Sequence, residues 1–347
     1  MSQSMTTHAE APPGLDLEAL SAWLSPRVGG LEGPLGAELI AGGKSNLTYL
    51  VADESRRWVV RRPPLGHVLA SAHDMSREYR MLSALQETDV PVPGTVAYCE
   101  DQAVLGADFY VMEYVEGTVY RQASQLLPLG PERVRSISCD LVDTLAALHA
   151  VDPAAVGLAD FGRAEGFLAR QVRRWGQQLD SSYSRELAGA TELRRQLADR
   201  VPTESSAGIV HGDYSISNTL IADSHVAAVL DWEMATIGDP LTDLALLAVY
   251  HRLSAIEPGG TVVADASNAP GFLTEVEIID RYTKASSRDL SNFGFYLALA
   301  AFKLATITEG IHFRYLQGQT VGDGFDDMGE IVPPLLEMGL EYLASAS

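Results

Sequence analysis

The segment from His211 to Asp231 constrains this sequence more than any other. It carries an aspartate, Asp213, then Asn218 five positions later, and a second aspartate at its end. Two short apolar runs, separated by polar residues, lie between Asn218 and Asp231 and predict a β-hairpin. Because an antiparallel hairpin places the start of its first strand beside the end of its second, Asn218 and Asp231 are expected to meet at one edge. Two oxygen ligands at such an edge, with a carboxylate just upstream, suit Mg²⁺ and a phosphate donor.

The composition indicates a folded protein with room for two lobes. The chain has 347 residues, of which 46% are hydrophobic and 20% are charged. The chain contains no run of eighteen apolar residues, so no membrane span is predicted. The first residues lack a basic stretch followed by an apolar one, so no secretory signal is predicted and a cytoplasmic location is expected. Two distant cysteines, Cys99 and Cys139, fit no metal or redox spacing and are expected as thiols.

The net charge of −21 makes nucleic acids and anionic membranes poor partners for the bulk of the surface. Two interpretations of this acidic excess stay open. It can serve as a solubilising surface, or it can line an acidic cleft for a cationic substrate such as an aminosugar. The sequence does not place the charges in space, and oligomeric state is not predicted.

The sequence HGDYSISN, followed by a predicted strand-turn-strand and LDWE, resembles the catalytic segment of the aminoglycoside phosphotransferase family, relatives of the protein kinases. The later run IGDPLTDLA resembles the GDPxxDLA pattern of the same family. The resemblance implies an α+β, two-lobe protein-kinase-like fold. Residues 1–29 would form a tail and a short helix. Residues 30–116 would form an N-lobe with a five-stranded antiparallel sheet plus a helix, and residues 117–347 a mainly helical C-lobe.

The resemblance also implies the site. Asp213 would be the catalytic residue that accepts or orients the proton of the acceptor hydroxyl, while Asn218 and Asp231 would hold Mg²⁺. ATP or another nucleoside triphosphate would be the phosphoryl donor. Asp239 and Asp243, from the GDPxxDLA pattern, are interpreted as structural, with Asp239 capping the helix that follows Pro240.

A glycine-rich loop between two strand-like segments is expected to approach the phosphates. It contains Gly42, Gly43, Ser45 and Asn46. The Gly-Lys-Ser run does not complete a Walker A motif, because position 38 is a glutamate and a strand-like segment follows instead of a helix. A hairpin turn with a glycine loop fits better, since backbone N–H groups there can reach a phosphate without intervening side chains.

The third strand carries arginine where the kinase pattern has lysine. In WVVRRPP, alternation places Arg61 and Arg62 on opposite faces, and the kinase pattern selects Arg61 for the phosphates. Glu78, on a helix predicted over residues 74–87 with Asp74 as its cap, would orient Arg61. An exposed arginine pair and a solvated glutamate are the alternatives. The arginine pattern resembles the branch whose phosphotransferase domains are attached to, or act alongside, acyl-CoA dehydrogenases.

The segment FYVMEYVEG resembles the kinase hinge, which implies that the Glu113 carbonyl and the Val115 N–H bind the adenine edge. A simple edge strand is the alternative, because the side chains carry no signature. In the helical region, residues 251–271 are predicted to form an exposed loop. Glu309, with His312 and Arg314, is a weak candidate for the acceptor pocket and is expected instead to form buried ion pairs or caps.

The sequence therefore predicts an ATP- and Mg²⁺-dependent phosphotransferase that phosphorylates a hydroxyl group of a small molecule. The branch resemblance favours a hydroxyacyl-CoA-type metabolite over an aminoglycoside. An inactive nucleotide-binding regulator is the alternative, motivated by the missing lysine of the third strand.

Overall fold

The protein is described from a computed structural model, over residues 11–41, 46–65, 74–182, 184–203, 206–256, 264–320 and 325–345. The chain divides into two compact units. The first unit comprises Met1–Glu116 and Ala228–Glu233, and the second comprises Gly117–Ala227 and Met234–Ser347. Asp231 therefore belongs to the first unit, although the sequence assignment placed it in the C-lobe.

The first unit is built on a five-stranded antiparallel sheet in the order β1-β2-β3-β5-β4. The predicted five-stranded antiparallel sheet is confirmed. The strands and helices of this unit are β1 (Gly36–Ala41), β2 (Leu47–Ala52), β3 (Arg57–Arg62), β4 (Thr95–Cys99), β5 (Phe109–Glu113), α1 (Leu17–Leu24), α2 (Met75–Leu85) and α3 (Gln102–Leu105).

One face of this sheet forms a hydrophobic core with α1. Trp58 and Val60, which alternate along β3, are buried in one cluster with Leu20 and Leu24 of α1. Alternation along a strand sends the next residue, Arg61, to the opposite face. On that face, α2 begins where Asp74 accepts hydrogen bonds from the N–H groups of its first turn, as predicted.

The second unit is mainly helical. Its helices are α4 (Ala123–Leu126), α5 (Pro131–Ala150), α6 (Phe167–Ser181), α7 (Ala190–Asp199), α8 (Leu241–Ile256), α9 (Glu275–Ala285), α10 (Phe293–Leu316) and α11 (Val332–Ser345). By length and composition alone, α10 is apolar enough to cross a membrane. However, 78% of its most apolar window is buried inside the protein, which is typical of a core helix.

The described residues also form four short strands, namely β6 (Gly208–Val210), β7 (Thr219–Ala222), β8 (His225–Val229) and β9 (Thr236–Gly238). β6 pairs with β9, and β7 pairs with β8 as the predicted hairpin. The hairpin turn has positive φ at both central residues, Asp223 (48°) and Ser224 (69°), as a type I′ turn requires. The boundary between the two units falls within β8, at Ala228.

The prediction of an exposed loop over residues 251–271 is wrong in its first part. α8 continues through Ile256 because Leu253 and Ser254 are buried on its inner side. A turn of 3-10 helix at Ala266–Asn268 follows, and residues 257–263 lie outside the described part of the chain.

Candidate active site

Asp213 lies on a loop that directly follows β6. The conformation of this loop is fixed by hydrogen bonds from its backbone N–H groups. The Asp213 N–H donates to His211 Nδ1 at 3.2 Å, so His211 braces the turn and is itself buried. Gly212 adopts φ +87°, and a Cβ at this position would lie 2.8 Å from the Met234 carbonyl oxygen. The turn therefore requires glycine between the histidine and the aspartate.

Asp243 of α8 fixes the same loop by accepting hydrogen bonds from two of its backbone N–H groups. Its carboxylate accepts the His211 N–H at 2.6 Å and the Gly212 N–H at 2.8 Å. Asp239 accepts the Leu241 N–H at 3.1 Å, at the start of α8. The structural interpretation of both aspartates is thereby confirmed, and both carboxylates are engaged with the protein.

The carboxylate of Asp213 is held at both oxygens. Tyr250 donates its hydroxyl to Oδ1 at 2.6 Å, and Asn218 donates its amide to Oδ2 at 2.9 Å. Sequence reasoning missed Tyr250. The available signal was its spacing, because Tyr250 lies seven residues after Asp243 on α8 and hence on the same helical face.

The Tyr250 hydroxyl stays protonated beside the Asp213 carboxylate. Burial raises the pKa of Tyr250 well above its usual value, and the neighbouring Asp213 charge raises it further. Tyr250 therefore remains a hydrogen-bond donor at neutral pH. A carboxylate oriented by two donors is suited to receive the proton of an attacking hydroxyl.

The predicted metal residues lie in different units, and each offers oxygen. The Asn218 amide nitrogen donates to the Asp213 carbonyl and carboxylate, and its Oδ1 accepts no hydrogen bond from the part of the chain that the structure describes. Asp231 adopts φ +64°, a conformation that aspartate tolerates better than most residues, and its side chain is 31% exposed. An amide oxygen and a carboxylate are each among the ligand types that Mg²⁺ prefers, and the prediction of a shared metal stays a prediction.

Arg61 lies between two carboxylates in the first unit. Its Nε is 2.8 Å from Glu78 Oε2, and its Nη2 donates to Asp231 Oδ1 at 2.7 Å. Glu78 is buried and also accepts the Tyr110 hydroxyl at 2.9 Å and the Asn46 amide at 2.7 Å. The structure thus brings Arg61 and Glu78 together, and it adds Tyr110, which the sequence analysis missed. Tyr110 is the residue paired with Arg61 across β3 and β5.

The positive charge of Arg61 and the negative charges of Glu78 and Asp231 stabilise one another. Burial alone would lower the pKa of Arg61, but the charge of Glu78, joined by Asp231, outweighs it and raises the pKa above its usual value. Burial raises the pKa of Glu78, and the ion pair with Arg61 opposes that rise. Arg61 therefore carries a permanent positive charge on the face of the sheet that α2 covers.

Arg62 has a different environment. It is buried on the α1 face, where its guanidinium donates to the Leu105 carbonyl at 2.7 Å and to the Gly14 carbonyl. These backbone contacts tie the N-terminal segment to the sheet. Of the two arginines, Arg61 is the one with the partner that the kinase pattern requires.

The remaining predicted nucleotide residues are only partly described. Gly42, Gly43 and Ser45 lie outside the described residues. Glu113 ends β5, its N–H donates to the Gly94 carbonyl at 2.8 Å, and Val115 lies two residues beyond the end of the strand.

A pocket of about 380 Å³ opens beside Asp213 within the second unit. Lys303 of α10 and Asp213 are the charged groups among its described lining residues, and half of the lining is apolar. The lining residues are Asp213, Ser215, Ile216, Ser217, Asn218, Met234, Leu247, Tyr250, His251, Leu253, Ala264, Ser267, Phe272, Lys303, Leu304, Ile307, Thr308 and Ile311.

Glu309 does not line this pocket. It is buried and accepts hydrogen bonds from the Ser184 hydroxyl at 2.9 Å and from Arg185 at 3.0 Å. The expectation of a buried ion pair is confirmed for Glu309, and neither His312 nor Arg314 is a lining residue. Lys303, six residues earlier on the same helix, is the pocket residue that sequence reasoning missed.

A five-stranded sheet unit with a buried arginine–glutamate pair, followed by a helical unit with an aspartate loop, defines a kinase-like phosphotransferase fold. The chain belongs to the phosphotransferase enzyme family, whose profile matches residues 36–276. It is 34% identical over 317 residues to acyl-CoA dehydrogenase family member 11 of Gallus gallus. That match covers 89% of this chain and 40% of the relative, so the chain spans less than half of the relative's length.

Solved structures agree with this assignment. A protein of Ralstonia eutropha, provisionally assigned as an aminoglycoside phosphotransferase, is 34% identical, with a TM-score of 0.83. That match covers 96% of this chain and 99% of the solved chain. The streptomycin–ATP ternary complex of an aminoglycoside 2″-phosphotransferase is 16% identical with a TM-score of 0.57, over 95% of this chain and 98% of that one, and shares the fold. The family and these neighbours support a small-molecule phosphotransferase, and no observation on the described residues supports the inactive regulator.

Proposed function

We propose that this protein transfers the γ-phosphoryl group of ATP, or of another nucleoside triphosphate, to a hydroxyl group of a small molecule. The observation that carries the proposal is the Asp213 carboxylate, oriented by Tyr250 and Asn218 at the wall of a pocket. In the reaction, the acceptor oxygen forms a bond to the γ-phosphorus and the bond to the β-phosphate oxygen breaks. Asp213 takes the acceptor proton, and the electron pair leaves with the nucleoside diphosphate.

Mg²⁺ would be held by Asn218 and Asp231 and would neutralise phosphate charge when bound. Arg61, oriented by Glu78, supplies a permanent cation for the phosphates. The backbone of Gly42, Gly43 and Ser45 would approach the same phosphates, as the sequence predicts. Asn46, the last residue of that loop, supports Glu78 through its amide.

The adenine edge would be bound by the backbone of Glu113 and Val115. Glu113 is the last residue of β5 and its N–H is used by the Gly94 carbonyl, so the proposal uses the Glu113 carbonyl and the N–H of Val115, which lies beyond the strand. This assignment uses no side chain and is compatible with several nucleobases.

The acceptor pocket favours a metabolite over an aminoglycoside. A polycationic antibiotic needs several carboxylates, but Asp213 is the carboxylate among the described lining residues, and Lys303 opposes further positive charge. Apolar side chains from α8 and α10 fit an aliphatic body. The similarity to an acyl-CoA dehydrogenase family member gives further support to a hydroxyacyl-CoA-type acceptor.

The proposal is tested by Mg²⁺-dependent ATP consumption over a panel of hydroxyacyl-CoA thioesters, hydroxy acids and aminoglycosides. Turnover with the aliphatic acceptors is expected. Asp213→Ala should lower that turnover by roughly 10²- to 10⁴-fold, because a general base contributes about this much, while ATP affinity stays nearly unchanged. Tight ATP binding without turnover on any acceptor would overturn the proposal in favour of a regulator.

A further inference from the structure

We propose that Lys303 is a second catalytic residue on the acceptor side, whose ammonium group holds the acceptor hydroxyl oxygen beside Asp213. The inference rests on the proposed phosphotransferase function and assigns a role to a residue that the reaction scheme above leaves unused. It is carried by the place of Lys303 in the pocket, by its contacts and by the surrounding charges.

Lys303 lines the pocket together with Asp213 and is tethered to the same loop. Its ammonium donates to the Gly212 carbonyl at 2.5 Å, one residue before the catalytic aspartate. Its Nζ also lies 5.6 Å from the centre of the Trp175 ring, which attracts a cation. An ammonium has three N–H donors, and the Gly212 carbonyl is its hydrogen-bond acceptor among the described residues. Further donors are therefore left for a ligand.

The charges around Lys303 show why this position is unusual for lysine. Burial lowers its pKa, while the negative charges of Asp213 and Asp243 raise it and Arg174 lowers it. Both oxygens of Asp239 and the carboxylate of Asp243 are engaged elsewhere, and Lys303 has no ion pair within 4 Å among the described residues. A half-buried charge without a carboxylate within 4 Å among the described residues is unfavourable for folding, which points to a functional reason for its presence.

The chemistry of the step gives such a charge a use. The acceptor hydroxyl must direct its proton to Asp213 and a lone pair to phosphorus. An N–H of Lys303 that donates to the acceptor oxygen fixes this orientation, and the ammonium stays protonated throughout. The bond-making and bond-breaking events are those given above, and Lys303 contributes positioning and positive charge where negative charge develops.

The test compares Lys303→Met, which keeps most of the stem and removes the charge, with Lys303→Arg and with Lys284→Met. Lys284 lies on α9 and is exposed, so its substitution removes the same charge outside the pocket. Phosphoryl transfer is measured with the best alcohol of the panel and with water as acceptor. We expect Lys303→Met to lower kcat on the order of 10²-fold, with the KM for ATP changed by less than about twofold. Lys303→Arg should recover part of the rate, and Lys284→Met should behave as wild type.

Thermal stability separates this role from a structural one. If the ammonium mainly staples the loop, Lys303→Met lowers the melting temperature and the rate together. If it serves the reaction, the melting temperature stays equal or rises, because a desolvated charge has been removed. Wild-type kcat in Lys303→Met, or a loss of rate that follows the melting temperature, would overturn the inference.

A measurement that needs no turnover completes the test. The chain has three lysines, so a protein labelled with ¹³C at lysine Cε gives three resonances to titrate by NMR. Asp213→Asn should lower the Lys303 pKa, since it removes a neighbouring negative charge. An unchanged titration would refute the proximity of the Lys303 ammonium to the Asp213 carboxylate. Absence of phosphoryl transfer by the wild type to every alcohol and to water would instead refute the proposed function itself.

Discussion

Tyr250→Phe gives the sharpest test of how the Asp213 carboxylate, the proposed base, is held. The substitution removes one oxygen, and with it the 2.6 Å hydrogen bond to Asp213 Oδ1, while the ring and its packing remain. Asn218 still donates to the other oxygen. Hydrogen bonds to charged groups contribute about 1.5–3 kcal/mol. If this bond orients the base in the transition state, kcat should fall roughly 10- to 150-fold, since 1.36 kcal/mol corresponds to a factor of ten.

The effect on folding should be smaller than the effect on rate. Asp213 lies at a pocket wall, so water can replace the lost hydroxyl. A matched control is Tyr296→Phe, which removes a tyrosine–aspartate hydrogen bond of 2.8 Å to the buried Asp239, away from Asp213. This control should lower the free energy of unfolding by about 1–3 kcal/mol, because the buried oxygen loses a donor.

The assay measures kcat and KM for each variant with the best acceptor of the panel, and Mg²⁺–nucleotide affinity by calorimetry. Tyr250→Phe should lower kcat and leave nucleotide affinity unchanged, whereas Tyr296→Phe should lower stability and leave kcat unchanged. Equal kcat in the two variants would refute the idea that Tyr250 positions the base.

Three further predictions concern the nucleotide side and pH. Asp231→Ala should abolish Mg²⁺-dependent nucleotide binding, and retained binding in calorimetry would contradict its role as a metal ligand. Arg61→Ala should raise the KM for ATP more than Arg62→Ala, which should instead lower the melting temperature, because Arg62 holds backbone carbonyls; the reverse order would contradict the assignment. Burial lowers the pKa of His149 and of His251, so the unfolded chain binds protons more readily, and the free energy of unfolding measured by urea should fall as the pH drops below about 6.5. A flat profile between pH 7.5 and 5.5 would contradict this.

Local sequence patterns were sufficient to predict most of the helices and strands. The hairpin after Asn218, the helix over Pro131–Ala150 and the cap at Asp74 follow from apolar spacing and turn chemistry within a few neighbouring residues. The loop prediction over residues 251–271 failed in its first part because small and polar residues there suggested an exposed turn, while Leu253 is buried on the continuing helix.

The missed site residues share one property, which is that their roles depend on partners far away in sequence. Tyr110 meets Glu78 because strand register places it beside Arg61. Tyr250 and Lys303 meet the aspartate loop from two different helices. Helical spacing places Tyr250 on the same face of α8 as Asp243, but periodicity does not say which distant loop or strand a face meets, since a tyrosine or a lysine has the same local pattern whatever it touches.

The distribution of charge connects these observations to the acceptor. The sequence has a net charge of −21, which left open either a solubilising surface or an acidic cleft. At the pocket beside Asp213, Asp213 and Lys303 are the charged groups among the described lining residues, and their charges offset each other. The acidic excess is therefore carried outside this described lining, where it favours solubility. A pocket without surplus negative charge has no electrostatic reason to prefer a polycation. Under the proposed function, its apolar walls, with Asp213 and Lys303 as the charged groups among the described lining residues, would set the selectivity for the acceptor.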